Sequence, residues 1–580
     1  MTDFWWRFAV LWLLLGLGLR VFIAGQLGAE AVDARLEAVV LGLVNDLKVY
    51  AIVGGWLAMG FLFGFRTGRI WLGLTLAIIS LITVAEVVYW IEFQSRLDRL
   101  VFHYLAYPRE VIAFLQEQFY LTWYALPFLG VVGLLYRWVS RWLPARELWA
   151  PDRLGLFAWV VAGATFLAFV DPGAPAHSRY LNQLASNGYL GVLSAARVDV
   201  SVWQGAYWQP PLLERFEASV RPRVAAAQFK HLVLVVEESF GGDAWWDDAA
   251  RKKYMPEFAE LAAQGVYFDQ VYATGSRTTR GLEAILNGYP PLPGIALTER
   301  PGFERLPSLP RELGRAGFHT SFVYGGWPGF SNFFDYWRGI GFDEMLSRYD
   351  FDDRWFETSW GVADEILFDK LLSEMDRLTE SHQRVMISAL TVSNHRPFDF
   401  PGKRIAYPAN ERRREYVIAY ADWALGNFVR RAAAHPWFDD TLIVVVADHG
   451  PTLVGGALVP ATGFHVPLLF LDHERLSPRV VHHFGSTMSL PITLLELLGV
   501  QPSTRFYGAN LLNEANGVAP VEHNYHVGLL DRDRLTVLVR NGDLLGWRFT
   551  GGALQPARPD LEQAARAEAL FRNAHEGFYR

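Results

Sequence analysis

Glu238, Thr278 and the pair Asp448-His449 are side chains whose types and positions can do chemistry together, because each comes just after a stretch that reads as a β-strand. Carboxylates and an imidazole are ligands for one divalent cation, and a hydroxyl beside such an ion loses its proton more easily and becomes a nucleophile. The set points to group transfer assisted by a metal ion.

Taken singly, each residue has a plainer reading beside the chemical one. Asp448-His449-Gly450 closes the strongest strand, Thr441–Ala447, where a carboxylate next to an imidazole suits Zn or Mn and equally suits a hydrogen-bonded turn. Glu237 and Glu238 follow Val-Val; alternation puts only one of them on a given face, leaving the other for solvent or a helix N-terminus. Thr278 lies in Gly275-Ser276-Arg277-Thr278-Thr279-Arg280-Gly281, before a helix expected to open near Thr279. A hydroxyl there receives the positive end of the helix dipole, and Thr278 or Thr279 also fits an ordinary N-cap. Arg277 and Arg280 can grip phosphate oxygens or solvate the loop. His395 in Ser393-Asn394-His395-Arg396-Pro397-Phe398 and His465 in Phe464-His465-Val466-Pro467 stand beside strands. Either can donate to a phosphoryl oxygen or protonate a leaving alkoxide, or be structural. His482 and His483 lack a partner pattern and read as surface residues.

The elements that must position these groups are short apolar runs alternating with helical stretches. Strands are expected at His231–Val236, Val266–Ala273, Phe318–Tyr324, Val385–Thr391, Thr441–Ala447 and Val466–Leu471, with helices around Met255–Ala263 and Asn410–Ala434. Buried strands alternating with helices predict a parallel, doubly wound sheet, whose ligands collect at the carboxyl ends of the strands. The tail from Val521 reads as a hairpin, with strand-like Leu535–Arg540 and a turn at Asn541-Gly542, closed by a helix.

The other end of the chain is made for a different solvent. The 580 residues are 51% hydrophobic with mean hydropathy +0.13, and the excess lies before about residue 172. Phe4–Ala24, Val39–Phe65, Ile70–Ile91, Phe119–Tyr136 and Leu154–Val170 are expected as five membrane spans, each near or above the roughly 17–20 residues that cross hydrocarbon. Arg7 ahead of the first gives it the look of a signal peptide, but four further spans argue for its retention. Arg66 and Arg69, then Arg137, Arg141 and Arg146, mark two cytoplasmic loops, so everything after residue 172 is expected outside. Arg96, Arg99 and Arg109 oppose this, softened by Glu92, Asp98 and Glu110. Asp46 and Lys48 in the second span read as lipid-headgroup contacts or, better, as a pair near the outer boundary. His177 to Ala227, with Trp203, Trp208, Pro210 and Pro211, reads as a connector along the membrane surface. A net charge of -7 without a dense basic block argues against nucleic acid as a partner. With no cysteine, disulfides, thiolate metal sites and Cys nucleophiles are excluded.

Read in order, Glu238-Ser239-Phe240, Arg277-Thr278-Thr279-Arg280-Gly281-Leu282-Glu283-Ala284, Tyr324-Gly325-Gly326, Asn394-His395-Arg396-Pro397-Phe398, Asp448-His449-Gly450 and His465-Val466-Pro467 resemble the lipoteichoic acid synthase family of membrane sulfatase-like proteins, within the alkaline phosphatase superfamily. The similarity covers nearly the whole chain, since that family also has five spans before an extracytoplasmic domain. It implies a five-helix transmembrane domain over residues 1–172, a membrane-surface linker over 173–227, and an extracytoplasmic or periplasmic α/β alkaline phosphatase/sulfatase-like domain with a mainly parallel sheet over 228–580.

The resemblance further implies that Glu238, Thr278, Asp448 and His449 bind one divalent metal ion, Mn2+ or Zn2+, with Thr278 as the nucleophile that becomes phosphorylated. His395 and His465 would contact the transferred group, with Arg277, Arg280 and Asn332 as further substrate-binding residues. The reaction implied moves a phosphoglycerol headgroup from a membrane phospholipid to a glycan or polyol hydroxyl outside the cytoplasmic membrane. Two departures bear on this. The Trp-Asn-Arg segment of the Gram-positive polymer synthases is replaced by Phe330-Ser331-Asn332-Phe333, without the Arg, which leaves the headgroup open. The segment that matures to formylglycine in true sulfatases is absent, which argues against sulfate-ester hydrolysis. Phosphoethanolamine transfer, phosphodiester or sulfatase-like hydrolysis, and a non-catalytic binding role are the alternatives; the first usually goes with a disulfide-rich domain, which this chain cannot form.

Overall fold

The computed structural model describes residues 2–26, 35–98, 101–102, 108–143, 150–168, 178–195, 219–220, 227–451, 455–472, 475–513, 517–539, 542–550 and 553–579. They fall into two compact units, Met1–Val202 and Trp203–Arg580.

In the first unit, helices Thr2–Gln26, Arg35–Leu62, Phe65–Phe93, Leu121–Ser140 and Ala150–Ala168 lie where the five apolar stretches were read. Among the described residues, two helical segments, Asp3–Gln26 and Phe65–Phe93, are long and apolar enough to cross a membrane. A further helix, Pro108–Phe119, precedes the fourth stretch.

Asp46 does not pair with Lys48 at a boundary. It lies buried within Arg35–Leu62 and takes a two-pronged ion pair from Arg20, at 2.5 and 3.0 Å, plus the Asn187 amide at 2.7 Å. The physical reason is reach: Asp46 and Lys48 are two apart on a helix and point to different faces, whereas Arg20 comes across from the neighbouring helix. Arg96 is likewise buried, in an ion pair with Glu86. Arg99, Arg146, Trp203, Trp208, Pro210 and Pro211 lie outside the described residues, as does the side chain of Arg109. Part of the expected connector is helical, at Arg179–Ala185 and Gly188–Ala195, and Arg20 Nε donates to the Leu184 carbonyl there.

The second unit is built on a sheet of eight strands: β1 His231–Glu237, β2 Val266–Phe268, β3 His319–Tyr324, β4 Glu344–Leu346, β5 Val385–Leu390, β6 Thr441–Ala447, β7 Leu468–Leu471 and β8 Arg479–Val481. Their order across the sheet is β8-β2-β7-β6-β1-β5-β3-β4. Every pairing is parallel except those made by β7, which runs antiparallel to both β6 and β2. Strands β1, β5 and β6 are buried on both faces, as continuous Val/Ile/Leu runs require when helices cover each side. The sheet is thus mainly parallel, as read from the sequence.

Two local readings change. The run Val266–Ala273 breaks: β2 ends at Phe268, and Val271–Tyr272 leaves to pair with Gly485–Ser486 in a separate small sheet. The tail is a five-stranded antiparallel meander, Ala519–His523, His526–Leu530, Arg534–Leu538, Leu544–Thr550 and Ala553–Ala557, followed by helix Leu561–Tyr579. Its first strand, Ala-Pro-Val-Glu-His, does not read as one because of Pro520. That strand is at an edge, where proline's missing N–H costs no ladder bond.

Candidate active site and metal centre

Strand register delivers the acidic groups. In the β1–β6 ladder Glu237 lies opposite Ala447, so Glu238 and Asp448 emerge side by side one residue later. The β1–β5 ladder places Val236 opposite Leu390, so Thr391 stands level with Glu237, and Glu238 N–H one residue on donates to Thr391 Oγ1 at 2.9 Å. Beyond Thr391 the chain turns through Asn394, whose amide donates to the Glu238 carbonyl at 3.0 Å.

Thr278 is the first residue of helix Thr278–Asn287, and Arg277, not a threonine, takes the N-cap position. Its hydroxyl makes no cap; it donates to Glu238 Oε2 at 2.9 Å. The helix is brought this close by Gly281, where a Cβ would stand 2.4 Å from the Asp448 carbonyl oxygen. Any side chain there pushes the Thr278 helix off the rim.

Glu238, Asp448 and His449 are buried, and one ligand atom from each lies within 4.8 Å of the others. His449 Nε2 is 3.4 Å from Glu238 Oε1 and 3.6 Å from Asp448 Oδ2. Its Nδ1 is 2.8 Å from the Gly450 carbonyl, which can only accept, so Nδ1 carries a proton and Nε2 is the nitrogen that faces the carboxylates. Asp448 Oδ1 takes the backbone N–H groups of Ser239 and His449 at 2.9 and 2.7 Å, whereas Oδ2 is buried with no hydrogen-bond partner. A buried carboxylate oxygen without a donor, beside a second carboxylate and an imidazole nitrogen, fits a divalent cation once that nitrogen gives up its proton. Electrostatics agree. Burial and the Glu238 carboxylate push Asp448 up to about 7. For Glu238 burial opposes ionisation, but the His395 and His449 imidazoles outweigh it and hold the carboxyl well below its usual range. Burial also opposes charge on His449, yet Asp448 and Glu238 lift it to about 9.

The remaining sequence-derived residues divide. His395 Nε2 is 3.4 Å from Glu238 Oε2, with its ring stacked on Trp360 at 4.1 Å. Arg277 is half-buried in the loop entering the Thr278 helix. His465 is clamped between Trp246 and Tyr272, at 3.7 and 4.7 Å, with Nε2 at 2.8 Å from the Asp269 carbonyl. Burial pushes it down to about 4, so it stays neutral. Arg280 is corrected: its guanidinium turns inward to Glu283 at 3.1 Å, Glu522 at 3.3 Å and the Gly294 carbonyl at 2.7 Å, and is buried. It ties the Thr278 helix to the C-terminal meander and is not offered to a phosphate. Asn332 donates its amide to the Thr298 carbonyl at 2.9 Å and so braces two loops.

Sequence reasoning gave no role to Ser239, Thr391 or Asn394, which fix Glu238, nor to Glu237. Glu237 is fully buried, takes the Thr391 hydroxyl at 3.0 Å, and is pushed well up by burial and by Asp364. Their signal was position alone: each lies at or just past the end of a central strand. His482, read as a surface residue, is exposed and pairs with Asp269 at 2.6 Å.

Residues 230–500 match the Sulfatase family. Phosphoglycerol transferase I from Xanthomonas campestris pv. campestris is 27% identical over 323 residues, 52% of this chain and 45% of its own length. Phosphoglycerol transferase I from Salmonella arizonae is 26% identical over 234 residues, 38% of this chain and 30% of its own. The chain thus spans less than half the length of these relatives. Among solved structures, a protein of the alkaline phosphatase superfamily from Vibrio parahaemolyticus is 29% identical with TM-score 0.59, covering 65% of this chain and 94% of that one. The lipoteichoic acid synthase LtaP from Listeria monocytogenes shares the fold at 18% identity and TM-score 0.52, covering 61% and 93%. Residues 230–500 are therefore a sulfatase-family domain of the alkaline phosphatase superfamily, in a chain homologous to phosphoglycerol transferase I.

Proposed function

We propose that this protein is a metal-dependent transferase anchored in the cytoplasmic membrane by five spans, with its second unit on the outer side. It moves a phosphoglycerol headgroup from a membrane phospholipid to a glycan or polyol hydroxyl through a phospho-threonine at Thr278. The observation that carries this reading is the Thr278 hydroxyl bonded to Glu238 Oε2 at 2.9 Å, beside the buried cluster of Glu238, Asp448 and His449. The names of the relatives and the apolar N-terminal helices support the substrate class and the anchor.

Glu238, Asp448, His449 and Thr278 would hold the cation, Mn2+ or Zn2+, which when bound neutralises phosphoryl charge and favours the ionised hydroxyl. Thr278 Oγ1, its proton released to solvent on ionisation, attacks the phosphorus, a bond forms between them, the bond to the diacylglycerol oxygen breaks, and the ionised Oγ1 is restored when the second step breaks the new bond. The helix N-terminus adds its partial positive charge to the same spot. His395, at the Glu238 carboxylate, hands a proton to the departing alkoxide. In the second step the acceptor hydroxyl oxygen attacks the phosphorus, gives its proton back to His395, and the Thr278–phosphorus bond breaks. An anchored enzyme suits a two-chain donor that never leaves the bilayer.

The test is incubation of the full-length protein in detergent with phosphatidylglycerol labelled in its headgroup. Diacylglycerol release and a phosphoglycerol adduct on Thr278, found by mass spectrometry, are expected for the wild type and lost in Thr278→Ala. Undiminished release by Thr278→Ala overturns the reading. Labelled phosphatidylethanolamine as a parallel donor decides the headgroup.

A further inference from the structure

Ser239 follows Glu238 and is buried, with φ at +49°, in the left-handed region that residues with a side chain seldom adopt. Two residues later the same turn reaches left-handed φ again at Gly241 and Gly242, +103° and +63°, and there the sequence uses glycine. Backbone shape alone therefore asks for glycine at 239 as well. What serine adds is its hydroxyl, and that hydroxyl donates to Glu238 Oε1 at 2.7 Å. The strained turn also aims Ser239 N–H at Asp448 Oδ1, 2.9 Å away. One residue thus holds an oxygen of each acidic group in the cluster. The Glu238 carboxylate is fixed with Oε1 toward Ser239 and Oε2 toward Thr278, which donates to it at 2.9 Å.

We propose that Ser239 is a positioning residue for the cation site: its hydroxyl locks the Glu238 carboxylate in the orientation that serves both the ion and Thr278, and the strained backbone is kept for that hydroxyl. The proposal rests on the reading of Glu238, Asp448 and His449 as a cation site. Local strain at a functional site, held because a side-chain contact requires it, is a general pattern. Groups that orient metal ligands commonly govern affinity by about 10–100-fold.

Two substitutions separate hydroxyl from backbone. Ser239→Gly relieves the left-handed φ and removes the hydroxyl; Ser239→Thr keeps the hydroxyl and worsens the strain. With full-length protein in detergent, the measurements are Mn2+ binding by calorimetry and thermal melting without added metal. For Ser239→Gly the expected result is a melting temperature equal to or above the wild type, with Mn2+ affinity down about tenfold or more. Ser239→Thr is expected to melt lower and, where it folds, to bind Mn2+ within a few-fold of wild type. Wild-type affinity in Ser239→Gly overturns the proposal and leaves the cation site standing. If the wild type binds neither Mn2+ nor Zn2+, both readings fall.

Discussion

Glu238 and Asp448 leave adjacent parallel strands at the same level, one residue past the opposed pair Glu237 and Ala447. Two carboxylates placed together in a buried site cannot both stay ionised without a counter-charge. Here Asp448 is pushed up to about 7 and His449 up to about 9, so the cation-free cluster holds protons near neutrality.

Binding a divalent cation must displace those protons, which sets the sign of its pH dependence. Between pH 8 and pH 6 His449 releases one proton per ion throughout, and Asp448 adds a second over the lower part. The affinity for Mn2+ is expected to fall by roughly two to three decades over that interval, about one decade per pH unit per proton released. Calorimetric titrations in buffers of different ionisation enthalpy check both the slope and the proton count. An affinity flat from pH 6 to 8 would contradict the assignment of these ligands.

Arg280 gives a prediction opposite to the one its place in the motif suggests. A phosphate-gripping arginine, when replaced, raises KM and leaves folding alone. Arg280 instead pairs with buried Glu283 and Glu522, so Arg280→Met removes the guanidinium that both carboxylates share. The expected loss is about 3–5 kcal/mol of stability, the usual effect of removing one partner of a buried pair. Denaturant unfolding of the full-length protein measures it. An unaltered unfolding midpoint with a raised KM for lipid would restore the phosphate role.

The contrast between Thr278 and Arg280 marks how far the sequence could be read. Strands β1, β5 and β6 were legible because continuous runs of Val, Ile and Leu leave little else to be. Groups at their ends, Glu238 and Asp448, followed from the general rule that such sheets gather ligands at carboxyl ends. Arg280 was misread since a guanidinium two residues beyond Thr278 looks the same whether it faces substrate or Glu522, and Glu522 lies in an edge strand disguised by Pro520. Ser239, Thr391 and Asn394 were silent for a related reason. Their contribution is the distance between strand ends, which no local pattern records. Five spans are expected from composition; helices lie at the five apolar stretches, but among the described residues two are long and apolar enough to cross a membrane, and what holds Asp46 is Arg20 from another helix, a partner that only packing reveals.

His231 opens β1 and is buried, with its Nδ1 accepting the Val385 N–H across to β5 at 3.2 Å. Burial pushes it down to about 4 from an ordinary 6.5. The folded ring must stay neutral to accept that bond, while the unfolded chain takes up a proton once the pH drops below about 6.5. The unfolded state binds more protons in the window from about 6.5 to 4, so stability is lost as pH falls through it. From pH 6 to pH 5 this group is expected to cost about 1 kcal/mol, approaching the limiting 1.36 kcal/mol per unit for one proton. Chemical denaturation of the wild type and of His231→Asn, whose side-chain oxygen can accept the same N–H, should differ in acid slope by that amount. Equal slopes would mean that His231 titrates normally in the fold.

His395 reaches the Glu238 carboxylate from a loop, and a loop imidazole needs something to stop it turning. Trp360 does this by lying against the ring at 4.1 Å with planes 16° apart, while its own Nε1 donates to the Arg396 carbonyl at 2.7 Å, in the residue next to His395. Trp360→Phe keeps a stacking face and loses the bond; Trp360→Ala loses both. Because neither touches Asp448 or His449, Mn2+ affinity is expected to hold within about threefold in both variants. Turnover is expected to fall by roughly tenfold in Trp360→Phe and by 10²-fold or more in Trp360→Ala, the scale of a mispositioned general acid. Steady-state kinetics of diacylglycerol release, run beside the calorimetry, separates the effects. Loss of Mn2+ binding in step with turnover would make Trp360 part of the frame of the cation site instead of the orienting wall for His395.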